Sequence, residues 1–219
     1  MNLSNYFWYS QSAIPHRICD LILKQGKKSK AGLAITGQQQ NTDGKGGVRN
    51  IKEQPLNQQE MKTLKKKRDS QIVWMNESWI YREIHPYVRR ANQESGWNFE
   101  WEASEAAQFT IYKKDMHYNW HTDSFSKPYE QGTSKGMIRK LTTVVVLSDP
   151  HEYEGGSLEF QFNAEDPQYN KKRIVTVAKE VAPKGSIIVF PSFVWHRVRP
   201  VTKGVRYSMP TWHLGAPFK

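Results

Sequence analysis

Apolar positions keep a helical period over the first part of the chain and a strand period over the rest, with the change near residue 98. "AIPHRICDLILKQGK" carries Ile14, Ile18, Leu21 and Ile22 at helical spacing with Gly26 near its end, which predicts a helix. "NESWIYREIHPYVRRANQESGW" places Trp79, Ile80, Ile84, Tyr87 and Val88 on a second helical stripe. Pro86 within it predicts a bend, or an end to the first part of that helix. Between the two, "GQQQNTDGKGG" at 37–47 reads as an exposed loop. Beyond residue 98 come the short β-rich runs "AAQFTIY", "KLTTVVVLS", "GGSLEFQF", "RIVTVAKEVA", "GSIIVFP", "HRVRPV" and "RYSMPTWHL". Turn signals such as "SDPHEYEGG", "APKG" and "TKG" separate them, a spacing that predicts a sandwich or jelly roll. No internal repeat is visible.

Composition narrows this picture only a little. A chain of 219 residues with 37% hydrophobic and 12% aromatic content suits one globular domain with one sizeable core. The expectation is a single domain over 1–219, with a helical support region at 1–97 and the β domain at 98–219. No apolar run approaches the ~18 residues of a membrane span, and "MNLSNYFWYSQSAIPHR" lacks the pattern of a secretory signal. The expected location is therefore cytoplasmic, with no membrane partner. Cys19 is the one cysteine, which excludes an intramolecular disulfide framework and a multi-cysteine zinc site. The net charge of +11 gathers only in "KQGKKSK" at 24–30 and "LKKKRD" at 64–69. Neither run has the interleaved aromatics of a single-strand binding surface, so a solvated basic face is the favoured reading and nucleic acid a secondary one.

The chemistry concentrates in "IYKKDMHYNWHTDSF", residues 111–125. On an extended strand residues two apart share a face, so His121 and Asp123 would present an imidazole and a carboxylate side by side. His196, in "FPSFVWHRVRPV", offers a third ligand from a later strand edge. Two His and one carboxylate on one face of an octahedron suit non-haem Fe(II) with open positions. His117, on the same strand face, is an alternative ligand, whereas His16, His85, His151 and His213 read as structural. Arg206 comes ten residues after His196. With "TKG" as a hairpin turn, it would lie on the strand next to that of His196 and could grip a carboxylate bidentately.

These residues stand in motifs that resemble the Fe(II)- and 2-oxoglutarate-dependent dioxygenases of the prolyl 4-hydroxylase type, above all the PKHD-type hydroxylases. "YKKDMHYNWHTD" is similar to that family's Tyr-x-x-Gly-x-x-Tyr-x-x-His-x-Asp. "RKLTTVVVLSDPHEYEGGSLEF" resembles its strand, acidic turn and Gly-Gly segment. "VAPKGSIIVFPSFVWHRVRPVTKGVRYSMPTW" resembles its Gly-turn, strand, distal His, Pro-Val-x-x-Gly-x-Arg and terminal Trp, so the likeness covers about residues 106–214. It implies an α+β, mainly β fold: a double-stranded β-helix, the cupin-like jelly roll, with the N-terminal helices packed outside. It implies that His121, Asp123 and His196 ligate iron and act catalytically through it. By the same resemblance Arg206 binds the 5-carboxylate of 2-oxoglutarate, Tyr112 donates its hydroxyl to it, and Arg139 and Trp212 face the substrate. O2 is the second cosubstrate and ascorbate the reductant. The expected reaction is hydroxylation of an unactivated C–H, in a prolyl residue of a peptide or protein, giving succinate and CO2. The polar loops at 28–50 and 124–137 would close over such a peptide. Same-fold oxidation of nucleic acid or a small molecule, and a non-catalytic cupin-like binding module, are the rival readings. Two positions depart from the family pattern. Asp115 stands where Gly is expected, which a left-handed turn tolerates in Asp. Leu158 stands where peptidyl-proline members often carry Thr.

Overall fold

The computed structural model describes residues 6–34, 56–125, 127–161, 174–176 and 183–218. The loop expected at 37–47, and most of the run at 173–182, lie outside these residues. Among the described residues three α-helices, α1 (His16–Lys28), α2 (Gln58–Lys67) and α3 (Ser78–Glu94), accompany two large antiparallel sheets and a two-stranded one.

The larger sheet has eight strands. In spatial order they are Trp8–Ser10, Ile187–Pro191, Ile138–Val146, Arg206–Gly215, Ala107–Tyr112, Gln71–Met75 and Gly32–Leu33, with Ala103–Ser104 also paired to Arg206–Gly215. The smaller has five, in the order Ile174–Thr176, Leu158–Gln161, Trp195–Val198, His117–His121 and Arg68–Asp69. The alternation along each strand decides what lies on either face. Ala107, Phe109 and Ile111 turn outward with Leu141, Val145, Ile187, Val189 and Met209, and pack against Ile18 and Ile22 of α1 and Ile80, Ile84 and Val88 of α3. The residues between them turn inward, where Tyr112, Ile188 and Phe190 meet Leu158, Phe160 and Val198 of the smaller sheet. Two facing sheets with helices outside one of them are the expected jelly roll.

The N-terminal segment departs from its expected character. It supplies strands to both sheets (Trp8–Ser10, Gly32–Leu33, Arg68–Asp69 and Gln71–Met75), most of them too short to give a period-2 signal. It also supplies α2, whose only buried residue is Leu64. That helix is announced by a capping box: Glu60 N donates to Asn57 Oδ1 at 2.8 Å and Asn57 N to Glu60 Oε2 at 2.8 Å.

In α1 the buried stripe is Ile18, Cys19 and Ile22, whereas Leu21 is 46% exposed and lies off it. Gly26 comes so close to the sheet that a Cβ there would lie 2.6 Å from the Phe109 ring. Pro86 does not end α3, which runs on to Glu94. The proline is exposed, so water can satisfy the carbonyl that it leaves free.

"TKG" is not a hairpin turn. Val201–Gly204 forms a strand paired with Tyr153–Gly155, and the chain then crosses to the larger sheet. Arg206 therefore faces His196 from the opposite sheet instead of lying beside it.

Candidate functional site

Backbone pairing brings the two histidines together. In the ladder between His117–His121 and Trp195–Val198, His121 and His196 are direct cross-strand partners, and their rings are 4.1 Å apart. Asp123 arrives differently. Its strand ends at His121, and the backbone N–H groups of Asp123 and Ser124 both donate to Ser192 O, at 2.8 and 2.9 Å, just past a strand of the larger sheet. The shared face of one strand is thus replaced by a turn anchored on the facing sheet. It nonetheless brings Asp123 Oδ2 to 3.4 Å from His196 Nε2 and Asp123 Oδ1 to 3.8 Å from His121 Nε2.

The three ligand atoms lie within 4.8 Å of one another, and all three residues are buried. Each histidine uses its other nitrogen: Nδ1 of His121 bonds Asn119 O at 2.8 Å and Nδ1 of His196 bonds Val194 O at 2.9 Å. A carbonyl can only accept, so Nδ1 carries a proton and both Nε2 atoms face the cluster. Burial, reinforced by His196, holds the His121 imidazole well below its ordinary range and so keeps it neutral. For Asp123 burial acts upward, yet the opposing effects of His196, His121 and Arg139 leave the carboxyl below its ordinary value. Thr142 fixes that carboxylate by donating to Oδ2 at 2.9 Å. Two imidazoles presenting Nε2 and one ionised carboxylate converging in a buried cluster fit a divalent transition metal.

His117 is elsewhere. Its ring lies against the carbonyls of Asp115 and Lys66, at 3.3 and 3.2 Å. His85 and His213 form a network through Ser104 and Thr143 on the helix side of the larger sheet. His16 and His151 are exposed.

Arg206 and Tyr112 are cross-strand partners on the inner face, both buried, with the guanidinium 5.5 Å from the centre of the Tyr112 ring. Arg206 Nη1 donates to Ser208 Oγ at 3.1 Å. The Gly-Gly turn makes room for it: Gly156 has φ of 63°, and a Cβ there would lie 2.9 Å from Arg206 Cδ. Asp115 does adopt the left-handed conformation, with φ of 68°. Leu158 joins the apolar wall with Phe160 and Phe190.

Arg139 and Trp212 lie together, the guanidinium 4.0 Å above the indole. Arg139 is held by Glu105 through two bonds of 2.6 Å, and Tyr129 donates to the same carboxylate at 2.7 Å. Trp212 Nε1–H approaches Asp123 without reaching hydrogen-bond geometry with any described protein atom. Trp74, 52% exposed, lies against Trp212, and Phe125, 42% exposed, lies under Arg139. Within the loop at 124–137, Tyr129 is tied to Met137 and Gly136 through the backbone.

The match to known proteins is centred on the same strands. Residues 107–214 match the family model of the 2OG-Fe(II) oxygenase superfamily. This segment belongs to that family. A PKHD-type hydroxylase of Xylella fastidiosa is 31% identical to the oxygenase segment over 108 residues, which is 48% of this chain and 42% of that protein. The chain thus spans less than half the length of that relative. Among solved structures, the viral collagen prolyl hydroxylase of Paramecium Bursaria Chlorella virus-1 is similar over 97% of this chain and 98% of its own, with a TM-score of 0.62 and 16% identity. The Trichoplax adhaerens prolyl hydroxylase, solved with a peptide fragment of hypoxia inducible factor, covers 96% of this chain and 84% of its own, with a TM-score of 0.58 and 14% identity. At those identities the likeness is one of fold. Among the described residues no helix is long and apolar enough to cross a membrane.

Several residues around the candidate metal centre carry no signal in the sequence. Thr142 and Glu105 hold other side chains in place, which no motif signals. Trp74 comes from the N-terminal segment. Arg68 belongs to the basic run 64–69, whose pattern predicts a solvated face, yet it is 5% exposed.

Proposed function

We propose that this chain is an Fe(II)- and 2-oxoglutarate-dependent dioxygenase that hydroxylates an unactivated C–H bond, in a prolyl residue of a peptide or protein. The observation that carries this reading is the convergence of His121, Asp123 and His196 opposite a buried guanidinium, Arg206, which donates to a neutral hydroxyl.

His121, Asp123 and His196 would hold the iron, with the Asp123 carboxylate ionised and each imidazole turning Nε2 inward. Iron with 2-oxoglutarate supplies the oxidising power to insert one atom of O2 into a C–H bond, as 2-oxoglutarate becomes succinate and CO2. Arg206 and Tyr112 orient the cosubstrate from the facing sheet by gripping its far carboxylate. Phe160, Phe190 and Leu158 keep water from that pocket. Trp74 and Phe125, exposed beside the Trp212–Arg139 pair, offer flat apolar surface, which suits a proline ring. Glu105 holds Arg139 over Trp212, so the arginine shapes this surface and its donors are largely engaged. Ascorbate would serve as reductant.

The test is turnover of a proline-containing peptide library with Fe(II), 2-oxoglutarate and ascorbate, read by the mass gain of one oxygen atom and by succinate. Oxygen gain on nucleic acid with no peptide product would move the substrate assignment. Absence of 2-oxoglutarate consumption with every substrate class would overturn the enzymatic one.

A further inference from the structure

A buried guanidinium needs an anion, because desolvating an isolated charge costs several kcal/mol. Elsewhere this chain obeys the rule: Arg139 holds Glu105, and Arg197 contacts Glu159 at 2.6 Å. Arg68 and Arg206 depart from it. They are 5% and 4% exposed, and among the described residues neither lies within ion-pair distance of a carboxylate. Their partners are neutral. Arg68 donates from Nε to Ser70 Oγ at 2.9 Å and from Nη2 to Gln108 Oε1 at 2.6 Å, and Arg206 donates to Ser208 Oγ.

The two arginines belong to one inner surface. Gln108 Oε1 also accepts from Thr110 Oγ1 at 3.3 Å. Gln108, Thr110 and Tyr112 alternate along one strand, and Thr110 and Tyr112 are the register partners of Ser208 and Arg206. A floor of neutral polar groups thus runs from Arg68 to Arg206, with Tyr112 receiving the charge of both and the Ser70 hydroxyl lying against its phenol. On its other side Arg68 lies 4.5 Å from the centre of the Tyr118 ring, which stacks on His121 at 3.4 Å. Arg68 is therefore one aromatic layer from the candidate metal centre. It also lies outside the matched segment 107–214.

We propose that Arg68 is a second cation of the 2-oxoglutarate pocket: with Arg206 it neutralises the far carboxylate and restricts the pocket to dicarboxylates. This rests on the dioxygenase reading above. A carboxylate has lone pairs enough for two guanidinium donors and a phenol, and two buried cations reject a 2-oxo acid whose far end is apolar.

The test uses metal-free protein as well as turnover. Succinate should raise the melting temperature of the metal-free wild-type chain, and butyrate should not. Arg68→Gln should lose that response and, by the worth of one hydrogen bond to a charged group, raise the KM for 2-oxoglutarate about ten- to a hundredfold, while kcat at saturation stays near wild type. Arg68→Lys should restore part of both. If Arg206→Ala abolishes the succinate response and raises KM but Arg68→Gln changes neither, the Arg68 assignment fails and the dioxygenase reading stands. The assignment fails equally if Arg68→Gln only melts earlier, with KM unchanged. If wild type consumes 2-oxoglutarate and neither variant alters KM, the cosubstrate lies elsewhere. If wild type consumes none, the underlying reading falls with it.

Discussion

Thr142→Val removes one hydroxyl from the candidate metal centre and little else. Valine has nearly the same shape, and the site is fully buried. What is lost is the 2.9 Å bond to Asp123 Oδ2 and the 3.0 Å contact with Ser192 Oγ. A hydrogen bond to a charged acceptor contributes about 1.5–3 kcal/mol. The loss divides between two measurable quantities, because Thr142 donates to Asp123 without metal as well. One part appears as lower unfolding stability of the metal-free chain, the other as weaker metal binding. Their sum should be about 1.5–3 kcal/mol. If all of it falls on binding, affinity drops by one to two decades, about what removal of an outer hydrogen bond to a metal ligand costs. Denaturant unfolding of the metal-free chain and calorimetric titration with Fe(II) or Co(II) give the two parts. Thr142→Ser keeps the donor and should recover most of the loss. A Thr142→Val chain with both quantities unchanged, or a Thr142→Ser chain as impaired as Thr142→Val, would refute the reasoning.

Replacing His121, Asp123 or His196 by Ala should abolish 2-oxoglutarate turnover and weaken metal binding in calorimetry; full activity in any one excludes that residue as a ligand. Burial pushes the His213 imidazole from 6.5 down to about 3, so the native state resists a proton that the unfolded chain accepts. The resulting stability is present above about pH 6.5 and declines as pH falls toward 3, by up to about 1.4 kcal/mol per pH unit. Denaturant unfolding at pH 7 and pH 5 should show that His213→Gln removes about 2 kcal/mol of this pH dependence; an unaltered dependence excludes His213 as its source. Gly26→Ala should destabilise by about 1–3 kcal/mol through overpacking on Phe109, less up to about 1 kcal/mol of helix propensity, and a melting curve at or above wild type would contradict the contact.

How much of this was legible depends on whether a residue's role is written in its type or in its surroundings. His121, Asp123, His196 and Arg206 sit in spaced motifs of chemically distinctive residues, and the structure brings all four into one interior. The route by which they meet was not legible. Asp123 is held by backbone bonds to Ser192, and Arg206 changes sheet after a short strand that reads as a turn. Neither depends on side-chain pattern. Arg68 was hidden for the opposite reason: it comes after three exposed or half-exposed lysines, and only the ladder partnering it with Tyr118 turns it inward. Pro86 is tolerated because it faces water, which the apolar stripe of its helix did not resolve.

The metal-ligating groups do not all hang from one layer. His121 and His196 belong to the smaller sheet, whereas Asp123 is suspended from Ser192, just past the end of a strand of the larger one. An ion held by all three would act as a rivet through the sandwich. Parting of the two layers at that point would pull Asp123 away from the two histidines, so metal would be lost faster the more often the sandwich breathes. Substitutions between the sheets, at Phe160 or Phe190, should quicken that loss without touching a single ligand.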